Sequence, residues 1–151
     1  LRQRFHERGR QDGVETSVEA LVAPDSREED GVGGSVPFEY ATGARLAREL
    51  LAREHRATVL VGANDMIAIG VISVLREKGL RVPEDYSVIG FDDLEVSQYL
   101  TPGLTTVRQQ ISLKGQKAVE LLLKHIEDPA LTKQEEILPL QLVERESVRT
   151  I

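Results

Sequence analysis

The chain has 151 residues, 40% apolar and 4% aromatic, with no Trp, no Cys and a formal net charge of −6. That length fits one domain of ordinary size, and the acidic balance repels phosphate backbones, which makes the chain a poor candidate for a DNA-contacting module. The lack of Cys excludes disulfides and thiolate metal sites, and no apolar run approaches the ~20 residues that a bilayer span needs.

Residues 1–10 (LRQRFHERGR) read as the end of a helix, with Leu1 and Phe5 four apart on one face. The chain begins at Leu1, inside that helix, so it is expected to be a piece of a longer protein, and the lack of a leader says nothing of export. Residues 11–17 read as a polar loop, 18–23 (VEALVA) as a strand, and 24–37, rich in Gly, Pro and acids, as an exposed loop. Thr42 can cap a helix over 43–55 with Ala44, Ala47, Leu50 and Leu51 as its apolar stripe. Residues 57–61 follow as a strand. Asn64 can cap the next helix, which ends near Gly79 with Pro83 beyond it. This helix is apolar on more than one face (Met66, Ile67, Ile69, Val71, Ile72, Val74, Leu75). One face can cover a sheet, and the surplus predicts a second lobe or a second subunit against it.

Residues 86–91 form a buried strand and 105–107 a short extended piece. Ser112 opens a helix with Gly115, Ala118, Val119, Leu122 and Ile126 on one face, stopped by Asp128-Pro129. Residues 137–143 make the last strand. Strands alternating with helices predict an α/β fold, a mostly parallel sheet flanked by helices on both faces.

Two of the apolar strands end in polar pairs, Asn64-Asp65 and Asp92-Asp93. The carboxyl ends of strands in open α/β sheets are where small ligands bind. The Asn64 amide can donate to and accept from a hydroxyl or ring nitrogen, yet Asn is also a preferred helix cap, and both roles stay open. Asp65, in the first turn, suits the helix dipole and is read as structural. The Asp92 carboxylate can accept two charge-assisted bonds from vicinal hydroxyls, the common way to hold a sugar, or it can simply open a turn. GVGG at 31–34 does not stand between a strand and a helix, so it is no phosphate cradle. His6, His55 and His125 have no metal spacing. No nucleophile elbow or Walker loop occurs, so no catalytic residue, metal or cofactor is expected.

TVLVGANDMIAIG, RVPEDYSVIGFDD, LTTVRQ and LPLQLVERES stand in this order between residues 58 and 147. Together they resemble the family of the lactose and galactose repressors, bacterial transcription regulators that bind small effectors. The resemblance runs from about residue 38 to the end. It implies a two-lobed, type I periplasmic-binding-protein-like fold. Residues 1–108 and 137–151 would belong to the carboxyl-terminal lobe. Residues 109–136 would supply the crossover strand end and one helix of the amino-terminal lobe. The family's helix-turn-helix headpiece is outside this chain. By the same resemblance Asn64 and Asp92 line the effector cleft, Phe38 stacks on the ligand or staples the next helix, and Gln109 at the crossover contacts ligand or backbone. Asp93 would support the loop. The family's effector-binding Arg, a few residues before a Gly-aromatic pair, has no match, because the nearest candidate, Arg4-Phe5, puts Leu1 in its place.

The function so implied is the effector-sensing and dimerising region of a cytoplasmic repressor. Its effector would be a small molecule of the sugar type, its partners a second copy and, through the headpiece, operator DNA, with no membrane involved. Met66, Ile67, Val71, Val74, Leu94 and Leu100 are the candidate dimer surface. A solute-binding protein of an uptake transporter shares the two-lobed fold and is the alternative. An enzyme of the doubly wound class is another, without a motif to support it.

Overall fold

The computed structural model describes residues 8–11, 14–17, 39–132 and 134–149. The strand expected at 18–23, the loop at 24–37 and Phe38 lie outside the described residues.

Strands β1 (Arg8–Gln11) and β2 (Val14–Ser17) form an antiparallel pair with Gln11 opposite Val14. At residues 8–11 and 14–17 this pair corrects the helix expected up to residue 10 and the loop expected at 11–17, while residues 1–7 and 12–13 lie outside the described residues. Asp12-Gly13 stands between the strands in the sequence, and Asp-Gly is a pair that two-residue hairpin connections prefer, because both central positions need positive φ. Two apolar residues four apart are the weaker signal.

A separate four-stranded sheet has the order β3-β4-β5-β6. β3 (Val59–Val61), β4 (Ser87–Asp92) and β5 (Thr105–Arg108) run parallel, and β6 (Gln141–Val143) returns antiparallel to β5. The mostly parallel sheet is as expected. The chain after β6 is stitched to the strands at their amino ends. Fully buried Ser147 donates its N–H to Gly103 O at 3.0 Å, accepts from Val88 N–H at 2.8 Å, and donates its hydroxyl to Val88 O at 2.6 Å. Its hydroxyl also accepts from Thr105 N–H at 2.8 Å.

Helix α2 (Asp65–Glu77) has both of its predicted ends. Asn64 Oδ1 accepts from Ile67 N–H at 2.9 Å, a cap that stabilises a helix by ~1 kcal/mol. At the other end Gly79 has φ +73°, Gly79 N–H reaches Arg76 O and Leu80 N–H reaches Leu75 O. This is the paired bonding that satisfies the last carbonyls of a helix through a left-handed glycine.

Helix α1 (Glu39–Leu51) crosses α2 at close range. A Cβ on Gly43 would overlap the backbone of Ile67, and one on Gly70 would overlap the backbone of Tyr40. Only glycine allows that approach, and it recruits the first turn of α1, so the helix begins at Glu39 rather than after Thr42. Its end at Leu51 comes earlier than 55, where Arg53 N–H turns to Leu50 O. Val74 lies one turn beyond Gly70, and Val71 one turn beyond Ile67. Both are core residues, 0% and 9% exposed, in one cluster with Ala44, Ala47, Ala68, Ile72, Leu75, Val88 and Leu104. The surplus face of α2 is therefore covered by α1 of the same chain, which removes Val71 and Val74 from the expected dimer surface.

Helix α3 (Ile111–Glu127) carries its apolar residues at the predicted spacing but buries none of them. Val119, Leu122, Leu123 and Ile126 are 53–65% exposed. Among the described residues, α2 packs on β4 and α1 on α2, while α3, which the resemblance assigns to the other lobe, keeps its apolar face exposed.

Candidate functional site

Register brings the predicted polar residues to one edge. Val61 of β3 lies opposite Ile89 of β4, and Asp92 of β4 opposite Arg108 of β5. Asn64 stands three residues past Val61, Asp92 three past Ile89, and Gln109 directly past Arg108. All three therefore leave the carboxyl ends of adjacent parallel strands, spaced ~4.8 Å apart. Gln109 Nε2 donates to Asp92 Oδ1 at 2.5 Å. Asn64 spends its oxygen on the helix cap, which leaves its NH₂ as the group it can offer a guest. Asp92, Asn64 and Gln109 are each half-buried.

The loop after β4 is unusual in its backbone. Asp92 and Asp93 have φ of 109° and 56°, in the left-handed region that non-glycine residues avoid. Each such residue costs ~1–3 kcal/mol and persists only where its surroundings fix it. Asp65 supplies one fixture. It is 0% exposed, and its Oδ2 accepts from Leu94 N–H at 2.7 Å and from the Ser97 hydroxyl at 2.6 Å. Its Oδ1 accepts from the Thr106 hydroxyl, which itself accepts from Asp93 N–H at 3.4 Å. Gly90 exists for this contact, since a Cβ there would overlap Asp65 Oδ1.

Asp93 supplies the second fixture. Its carboxylate accepts from Arg108 Nε and from an Arg145 terminal nitrogen, each at 2.6 Å. Burial works to raise its pKa, but the hydrogen bonds and charges of Arg145 and Arg108 outweigh it and hold the carboxyl below its ordinary value. The two neighbours thus divide the work. Asp93 is held by two arginines, while Asp92 Oδ2 has no donor among the described residues.

A cavity of about 250 Å³ lies elsewhere, at the carboxyl end of α2, lined by Ile72, Arg76, Leu80, Arg81, Val82, Glu84, Thr101 and Pro102. Its arginines are already engaged, Arg76 by Thr101 O and Arg81 by Asp85. None of the predicted site residues lines it. Among the described residues no His, Asp or Glu cluster is arranged to hold a metal, and no helix is long and apolar enough to cross a membrane.

The family model described as a periplasmic binding protein-like domain matches residues 1–148. The chain belongs to that family. Within it, the relatives are those of the lactose and galactose repressor branch. The HTH-type transcriptional repressor PurR of Vibrio atlanticus (strain LGP32) is 40% identical over 114 residues, which is 76% of this chain and 34% of the relative. A ribose-bound LacI family transcriptional regulator from Enterococcus faecium superposes with a TM-score of 0.65 at 37% identity, over 74% of this chain and 41% of that one. The Lac repressor bound to ONPG superposes with a TM-score of 0.67 at 34% identity, over 74% of this chain and 34% of that one. The chain spans about a third of the length of the curated relatives it matches.

For this periplasmic binding protein-like domain, sequence reasoning missed the Asp65 clamp and the arginine pair on Asp93. In the sequence Asp65 reads as a partner of the helix dipole alone. Gly90, inside an otherwise apolar strand, was the available signal, because glycine in a strand marks a close approach. Arg145 carried none.

Proposed function

We propose that this chain is the greater part of the carboxyl-terminal lobe of an effector-sensing domain in a cytoplasmic transcriptional repressor. The observation that carries this reading is the alignment of Asn64, Asp92 and Gln109 at the carboxyl edge of three adjacent strands, with Asp92 keeping an acceptor oxygen for a guest. A carboxylate acceptor beside an amide donor suits vicinal hydroxyls, so the effector is a small hydroxylated molecule of the sugar type. Similarity to repressors and to a ribose-bound transcriptional regulator supports a regulator over a transport protein or an enzyme.

In this reading residues 1–108 and 137–151 belong to the carboxyl-terminal lobe, and 109–136 to the amino-terminal one. The uncovered apolar face of α3, with Ile137, Leu140 and Leu142 at 88%, 58% and 54% exposure, is the surface on which the rest of the second lobe packs. Effector between the lobes favours one lobe orientation and so shifts operator affinity, through differential affinity for the two states. Operator contact is made by a headpiece beyond this chain. A second copy docks near the half-buried Met66, Leu94 and Leu100; Ile67, whose backbone meets Gly43, lies at the α1 contact.

The test uses the full-length protein. A thermal-shift screen of sugars and nucleobases identifies the effector, and operator binding is then titrated with and without it. Asp92→Ala is expected to keep operator binding and lose the effector response. An unchanged response would remove Asp92 from the site.

A further inference from the structure

β5 and β6 are neighbours in the sheet, and the chain between them leaves to build α3 before it returns. Arg108 is the last residue of β5 and Arg145 stands two residues after β6. Both reach the same side chain. Asp93 Oδ2 accepts from Arg108 Nε and Oδ1 from Arg145, at 2.6 Å each, with the Asp93 side chain 8% exposed and that of Arg145 16%. Arg145 is itself anchored, donating from its other terminal nitrogen to Leu104 O at 2.7 Å and from its backbone N–H to Thr105 Oγ1 at 2.9 Å. One residue earlier, Asp92 is bonded to Gln109, the first residue of the excursion. The two left-handed residues 92 and 93 therefore grip both ends of the path that leads away from the sheet.

We propose that Asp93, Arg108 and Arg145 form an ionic staple that couples the Asp92 loop to both strands through which the chain leaves and re-enters this lobe. Its meaning as a signal path rests on the effector-sensing reading. A guest that binds Asp92 Oδ2 shifts the carboxylate that Gln109 holds and so the start of the excursion, while the staple keeps the loop's displacement tied to Arg108 and Arg145. Asp93 is then a positioning residue. It touches no guest, and it decides whether a movement at Asp92 is delivered to the crossover or lost in a slack loop. Because Asp93 is bonded to both arginines, disturbing the crossover arginine loosens the loop and disturbing the aspartate loosens the crossover.

Reciprocity gives a test that needs neither ligand nor operator. Amide hydrogen exchange is followed in the full-length protein and in Asp93→Asn, Arg108→Gln and Arg108→Lys. Both Asp93→Asn and Arg108→Gln are expected to speed exchange on the order of tenfold at residues 94–98, 105–109 and 141–147 together, leaving α1 and α2 unchanged. Arg108→Lys restores protection in part, because it keeps the charge and loses the fork. Faster exchange confined to the mutated segment, or rising equally through α1 and α2, would overturn the staple. Arg108 is half-exposed, so its variants carry the comparison if Asp93→Asn does not fold. A failed effector screen leaves this result standing, and uncoupled exchange leaves the effector-sensing reading standing.

Discussion

Replacing Asp65 with alanine tests the clamp beneath the site. The side chain is fully buried and accepts from Leu94 N–H, Ser97 and Thr106. A buried donor left without an acceptor costs ~1–3 kcal/mol. The two hydroxyls can rotate toward other acceptors, whereas the Leu94 N–H cannot. Removing a carboxylate also returns part of its desolvation cost. The net loss expected for Asp65→Ala is therefore about 3 kcal/mol, at the upper end for a single substitution. Asp65→Asn is the control. With its oxygen at the Oδ2 position it keeps both Leu94 and Ser97, and its NH₂ meets a Thr106 hydroxyl that can turn to accept, so about 1 kcal/mol is lost. Urea unfolding measures both. With slopes of ~1–3 kcal/mol per molar, the alanine midpoint should fall by roughly 1.5 M and the asparagine midpoint by about a third of that. An alanine variant within about 1 kcal/mol of the parent, or equal to the asparagine variant, would refute the clamp.

The remaining expectations use the same assay under other perturbations. Gly79→Ala places a side chain at φ +73° with no neighbouring atom within 4 Å of the added Cβ, so the loss is purely conformational, ~1–2 kcal/mol, and Gly79→Asn should lose less; equal stability of all three would contradict the left-handed cap. The lowered pKa of Asp93 means that its ion pairs contribute fully above the ordinary value of 3.8 and fade as pH falls through the depressed folded-state value. The stability difference between parent and Asp93→Asn should accordingly hold steady above about pH 5 and shrink below the ordinary carboxylate range, and a difference that persists down to about pH 2 would exclude a folded-state ion pair as its source.

What could be read from the residues followed from short-range chemistry. Asn64 and Gly79 bound α2 because capping needs only the helix's own termini, and the apolar runs at 59–61 and 87–91 both pair as strands, the second burying Val88 at the core while Val59 and Val61 of the first stay exposed. Asn64, Asp92 and Gln109 come to one edge because parallel strands place every carboxyl end on the same side. The illegible part depended on partners far apart in sequence. A carboxylate in the first turn of a helix looks the same whether it faces water or closes on Thr106, 41 residues away. Arg145 looks like any surface arginine until β6 returns beside β5 and brings it to Asp93, 52 residues back. The apolar surplus on α2 was visible, but not its cover, because Gly43 and Gly70 stood in predicted helices where glycine reads only as a weakness. Set against the other helix's backbone, Gly43 on Ile67 and Gly70 on Tyr40, they let two backbones touch, and the face that asked for a partner found it within the chain. The same logic, applied to α3, leaves its apolar face without a partner among the described residues, and that is why the missing cover is sought in the remainder of a second lobe.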